Sequence, residues 1–177
     1  MTHTSAREAN LLGTLSLAVA GAMETAVRSS LGPSAPAALV ALDGYLGGEP
    51  IDALRQVLGL THSGAVRLVD RLEAAGLAER RPGPDGRSVA VALTRRGTAA
   101  ARTARAEREA ALEHALSALA PAERAALAAL HEKLLARLTG DRASARRMCR
   151  LCDVDACGHD RGACPVTEAR RSRSRAA

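Results

Sequence analysis

Phenylalanine and tryptophan are absent from the 177 residues, and Tyr45 is the only aromatic side chain. Single-stranded nucleic acid is bound largely by stacking bases on aromatic rings, so this composition argues against such a partner. A core without large rings must be built from Leu, Val and Ala, and the recurring Ala-Leu-Arg-Glu stretches between residues 98 and 138 predict a mainly helical protein. No eighteen consecutive residues are apolar, so a membrane span is not supported. Chemistry-bearing motifs are also missing. There is no Gly-rich phosphate loop, the histidines at 3, 62, 114, 131 and 159 are scattered, and no Ser or Cys has a base and an orienting acid nearby in sequence. An enzyme is therefore not expected. Finally, cysteine is absent from residues 1–148, whereas four cysteines crowd into 149–164.

The length suits one domain with a sizeable core plus an appendage. The formal charge is +6, but residues 141–177 hold nine Arg against five acids, which leaves only +2 for the rest. Global charge is thus weak evidence for a nucleic-acid partner, and local pattern has to decide. The apolar stretch "LLGTLSLAVAGAM" at 11–23 has the length of a secretory core, with small residues around Ala18–Ala22. Arg7 and Glu8 cancel ahead of it, so the positive leader is missing, and a helix of a cytoplasmic protein is expected instead.

Along the chain, a first helix is predicted from about Ser5 to Leu31, stopped by Gly32-Pro33, and a second from Ala35 to Leu46, ended by Gly47-Gly48. "IDALRQVLG" reads as a short helix closed by Gly59, and Thr61 is a good cap for the next, which meets Gly76. "LAERRP" (77–82) and "SVAVAL" (88–93) are strand candidates separated by the turn "GPDG", and Thr94 caps a further helix. A helix-turn-helix followed by a hairpin is a winged helix-turn-helix, here at about 51–93. Beyond it, Leu112, Leu116 and Leu119 form one stripe, and after Pro121 a second is formed by Leu127, Leu130, Leu134 and Leu138. Such seams suit either an intramolecular helical pair or dimerisation.

The segment "LTHSGAVRLVDRLEAAGLAERRPGPDGRSVAVALTRRG" (60–97) resembles the core of the MarR family of bacterial transcription regulators: a "VDRLE…GL…R" recognition helix and strand, a "D-x-R" wing, and "LT…G" opening the next helix. The order of elements over 1–140 agrees with that family. The resemblance implies a mainly α fold with a small β-hairpin wing, flanked by N- and C-terminal helices that form a homodimer, and a duplex-DNA regulator, a repressor in the expected case. It also implies that a small-molecule effector binds between the dimerisation helices, although the scarcity of aromatics argues against a stacking pocket for an aromatic acid.

A helical wheel on 62–75 puts Ala65, Leu68, Val69 and Leu72 on one side and Ser63, Arg67, Asp70 and Ala74 on the other. The apolar side must pack inward, so Arg67 faces out for base contact in a major groove, where Arg matches guanine. Thr61, His62 and Ser63 at the helix start suit a phosphate or base edge, and Arg71 on the flank suits backbone. The competing reading pairs Arg67 and Arg71 with Asp70. Arg87 belongs to the wing, where the resemblance implies minor-groove insertion, and Asp85 is expected to hold the wing tip. Arg80 and Arg81 at the strand end suit phosphate contact or a charged edge. A dimer of such units implies a pseudo-palindromic operator with half-sites about one helical turn apart.

The extension at 141–166 lies outside the usual MarR pattern. Cys149, Cys152, Cys157 and Cys164 are spaced C-x2-C-x4-C-x6-C. In a cytosolic chain such clustering points to metal or redox chemistry before disulfides. Zinc suits four tetrahedral ligands, with His159 as a substitute for Cys157, and is favoured narrowly. An iron–sulfur cluster is the alternative, because Cys164 is followed by Pro165. A thiol redox switch, or a metal-binding adaptor for another protein on a winged-helix scaffold, are further readings. The last residues, 167–177, are basic and predicted to be a disordered tail.

Overall fold

The structure is a computed structural model and describes residues 3–83 and 88–176. Eight helices and one hairpin follow in the order α1 (His3–Ala26), α2 (Ala35–Gly44), α3 (Ile51–Leu58), α4 (His62–Ala74), β1 (Ala78–Pro82), β2 (Val89–Leu93), α5 (Arg95–Leu116), α6 (Pro121–Leu138), α7 (Arg142–Met148) and α8 (Pro165–Ala176) among the described residues. The first helix ends at Ala26, five residues before the predicted Leu31, and the chain turns through Gly32 (φ 101°) before α2.

The core sits under the short helices. Leu39, Leu42, Leu46, Leu54, Val57, Leu68, Val69, Leu72 and Val91 are buried together, with small alanines filling between them. Its apolar residues come from α2, α3, α4 and the hairpin, and α5 closes one side against α2. Burying each such Leu or Val contributes about 1.5–3 kcal/mol, so this cluster is the main source of stability in the chain. An ion pair from Arg105 to Asp43 (2.6 Å), both mostly buried, fixes α5 on α2.

The strands pair antiparallel with Arg80 opposite Val91, and Pro50 adds a one-residue bridge to Ala90. Thr94 then starts α5 as the sequence predicts. Its hydroxyl donates to the Gly76 carbonyl (2.8 Å) and accepts from the Gly97 N–H (3.1 Å). A side chain at residue 97 would sit 1.9 Å from the Leu77 carbonyl oxygen, so the "LT…G" pattern marks a place where backbone meets backbone.

One expectation needs correction. Residues 167–177 are not without structure: Pro165–Ala176 is helical, with Val166 and Thr167 buried and Arg173 bonded to the Thr139 carbonyl. Pro165 opens the helix and Glu168 pairs with Arg171 at 2.6 Å, which arginine-rich composition alone does not reveal. The C-terminal segment reaches both the short and the long helices. It folds back so that α7 packs on α3 while α8 packs on α6.

Candidate functional site

The reading head begins with the turn between α3 and α4. Gly59 ends α3 in the left-handed conformation (φ 66°), and Thr61 then caps α4 by accepting the Gly64 N–H at 3.1 Å. This turn places Thr61, His62 and Ser63 on the surface at the positive end of α4. Ala65, Leu68, Val69 and Leu72 are all fully buried, as the wheel predicts. Arg67 is exposed one turn beyond Ser63.

Asp70 does not pair with Arg67. It binds Arg80 of β1 at 2.7 Å, and Glu73, one turn further on, binds both the guanidinium and the backbone N–H of Arg80 (the latter at 2.7 Å). Two carboxylates at i and i+3 on α4 therefore hold the strand, and this competition leaves Arg67 without an ion pair among the described residues. Arg80 is accordingly a brace between wing and helix and not a free phosphate contact. Arg81 pairs with its strand neighbour Glu79 (2.8 Å). Arg71 stays exposed, but its Nε donates to the Leu31 carbonyl at 3.0 Å and ties α4 to the segment before α2. Asp85 and Arg87 of the wing tip lie outside the described residues.

The second site is the cysteine module. Asp141 caps α7 by accepting the Ser144 N–H (2.8 Å), which holds its carboxyl below the usual carboxylate range. The connecting segment turns through Gly158 (φ 70°) and Gly162 (φ 68°), and the Asp153 carboxylate accepts the N–H groups of Asp155 (3.0 Å) and Ala156 (2.8 Å). These turns bring four residues separated by fifteen positions to one place. Cys149 bonds Cys152, Cys152 bonds Cys157 and Cys157 bonds Cys164, and Cys149 also lies within electrostatic reach of Cys157 and Cys164, all four being free thiols. They line a cavity of about 410 Å³ together with Tyr45 and His159. His159 Nδ1 is 3.0 Å from the Thr167 hydroxyl. Among the described residues no three Cys, His, Asp or Glu side chains stand where one metal ion would be ligated.

The electrostatics of this cavity are uneven. Its hydrogen bond with Cys152 holds the Cys149 thiol below its ordinary value, while that same bond and then burial push Cys152 up. Burial, then the charge of Cys152, pushes Cys157 up to about 12. Burial also opposes ionisation of Cys164, but hydrogen bonds from Thr167 outweigh it and hold that thiol down. Tyr45, raised chiefly by burial, donates its hydroxyl to the Arg146 carbonyl at 3.1 Å and so pins α7 to the end of α2. Sequence reasoning noted Tyr45 only as a lone aromatic. Its isolation in a ring-poor chain was the available signal. Arg108 of α5 was missed as well. It lies within electrostatic reach of Cys152, and its Nε is buried without a hydrogen-bond partner among the described residues.

A sequence model of the MarR family matches residues 31–88, from the approach to α2 through the whole helix-turn-helix and into β2's lead-in. Over those residues the chain is similar to the MarR family. Solved structures similar to this chain include Rv1404 from Mycobacterium tuberculosis, with 27% identity over 75% of this chain and 95% of that one at a TM-score of 0.55. A MarR-family transcriptional regulator from Rhodococcus sp. RHA1 is similar in fold, with 22% identity, 76% and 97% coverage and a TM-score of 0.56. CouR from Rhodococcus jostii RHA1, solved with p-coumaroyl-CoA, has 25% identity, 70% and 88% coverage and a TM-score of 0.53. No curated protein matches the chain. Each of these relatives is nearly covered by the match, while about a quarter or more of the present chain has no counterpart in it. No helix among the described residues is long and apolar enough to cross a membrane.

Proposed function

We propose that this MarR-type chain is a sequence-specific transcription regulator of duplex DNA, a repressor that works as a homodimer on a pseudo-palindromic operator. The observation that carries the reading is the pairing pattern on α4: Asp70 and Glu73 are committed to Arg80, so Arg67 projects unpaired from an otherwise positioned helix. A helix that fits the major groove and offers one uncommitted Arg is equipped to bind guanine. Thr61, His62 and Ser63 supply phosphate or base-edge contacts beside it, Arg71 backbone contact, and Arg87 with Asp85 the wing tip.

Dimerisation is supported by two apolar faces. Leu11, Leu12, Leu15 and Leu17 of α1 are about half exposed or more, and Leu130, Leu134, Leu135 and Leu138 of α6 are 37–68% exposed. Long helices showing contiguous leucines in one protomer are surfaces for a second copy. The cysteine module would then be the input: a metal bound by Cys149, Cys152, Cys157 and Cys164 orders a segment that touches α3 of the reading head, so occupancy modulates DNA affinity. A small-molecule effector of the acyl-CoA kind held by CouR is a further candidate input.

The test is an affinity measurement on the DNA upstream of the chain's own gene. Arg67→Ala is expected to weaken binding about 5- to 150-fold per half-site, the equivalent of about 1–3 kcal/mol, and to relax specificity at one base pair. Unchanged affinity would overturn the assignment. Leu130→Asp with Leu134→Asp should convert the dimer to a monomer by light scattering, and persistence of the dimer would move the interface elsewhere.

A further inference from the structure

We propose that the C-terminal extension adds to the duplex-binding surface, with Arg150 standing beside Arg28 and Arg71 as a phosphate-binding flank of α4; this inference rests on the reading of the chain as a DNA regulator. The three arginines come from distant parts of the sequence: Arg28 lies just past α1, Arg71 belongs to α4, and Arg150 lies just past α7. Residues 28–32 bring them to one place. Arg28, Gly32 and Arg150 line the same groove, between the end of α1 and the start of α2. From the side of α4, Arg71 Nη2 stands 3.7 Å from the point that a Cβ at residue 32 would occupy.

The chain does not neutralise this charge. All three arginines are exposed, and none is in an ion pair among the described residues. Glu24, one turn before Arg28, is the one carboxylate among the groove's lining residues, so the cluster keeps an excess of positive charge. Two of the arginines are tethered to backbone instead: Arg71 Nε donates to the Leu31 carbonyl (3.0 Å) and Arg150 Nη1 to the Arg147 carbonyl (2.8 Å). A single bond of this kind directs the guanidinium and uses one of its five N–H donors, which leaves the rest of the fork for an anion.

The position beside α4 selects the phosphates of a duplex as that anion. Arg67 and Arg71 are one turn apart on α4, about 6 Å along its axis. A duplex whose major groove takes Arg67 carries its sugar–phosphate backbone past the flank of the helix, where Arg71 stands and where Arg28 and Arg150 extend the basic surface. Contacts of this kind strengthen binding to any sequence and set register, while Arg67 reads a base. Arg28 and Arg150 both lie outside the residues 31–88 that match the family model, so neither contact follows from that match.

The experiment measures the affinity of the full chain for the duplex upstream of its own gene and for an unrelated duplex of equal length, across a range of salt concentrations. Each phosphate contact removed should flatten the slope of log affinity against log salt by about 0.9, so Arg150→Ala and Arg28→Ala should each flatten it by about two per dimer. Both variants should weaken the two duplexes by the same factor, whereas Arg67→Ala should weaken the upstream duplex more than the unrelated one. Arg150→Lys keeps the charge and should keep the slope. Unchanged slopes in both alanine variants, with the Arg67→Ala loss still seen, would overturn the flank and leave the regulator reading intact. Flattening by Arg28→Ala alone would remove the extension from the surface. Equal flattening by Arg150→Lys and Arg150→Ala would also overturn the inference, because the effect would then come from a loosened extension and not from charge. Binding of neither duplex by the unaltered chain would overturn the regulator reading and this inference with it.

Discussion

The winged helix and the cysteine module are both helical and both well placed, but they are held by different means. The first has fourteen buried apolar residues in one cluster; the second has three, Ala145, Cys164 and Val166. Three small contacts do not offset the entropy of ordering residues 141–176, at about 1–2 kcal/mol per residue for the backbone alone. The reading head therefore stands on its own core, while the module stands on its docking to that head. This difference makes the module suited to respond to a ligand and the head suited to stay constant.

The sharpest break of the comparison is a core substitution. Leu68 is fully buried between the α4 face and the core, and Leu68→Ala is expected to cost about 2–5 kcal/mol in thermal unfolding of the head. Val166→Ala in the module should leave the midpoint of the head nearly unchanged and loosen only α8. Equal losses from the two would mean that module and head unfold as one unit.

The contrast also explains what was legible. The wheel on α4, both threonine caps, the Gly59 turn and the strand pair could be read because apolar periodicity and capping chemistry are local. The bracing role of Arg80 was not: nothing in the strand says that Asp70 and Glu73, seven to ten positions earlier, will face it. Likewise the convergence of the cysteines was legible from their spacing, but their contact with Tyr45 and Arg108 depends on a chain that doubles back on itself. Helix α8 was missed because a third of its sequence is arginine and its burial rests on Val166 and Thr167.

Arg80 gives the intermediate test. Its side chain and its partners are a quarter to a half exposed, so Arg80→Ala should cost at most about 1 kcal/mol of stability. It should nevertheless weaken operator binding several-fold, because the wing loses its register against α4 while Asp70 is freed to pair with Arg67. The double variant Arg80→Ala with Asp70→Asn should recover part of that loss. No change in affinity for the single variant would show that the hairpin pairing alone positions the wing.

The smallest effect distinguishes two exposed carboxylates. Asp52 binds Arg55 (2.6 Å) and Gln56 (2.7 Å) in α3, and Asp141 caps α7; hydrogen bonds hold both below the ordinary range of an aspartate. A carboxylate whose pKa is depressed by folding contributes stability that is full above its unfolded value and is lost as pH falls through the folded one. Protonation should therefore loosen both helix starts below about pH 4. In α3 the loss is masked, since Leu54 and Val57 are buried in the core whatever the charge of Asp52. In α7 only Ala145 is buried, so amide exchange at Ser144 and Ala145 should accelerate on acidification while that at Arg55 and Gln56 does not. Asp141→Asn, which keeps a capping side chain but cannot titrate, should remove the pH dependence at α7. Persistence of that dependence in the variant would show that α7 is not loosened at its own cap.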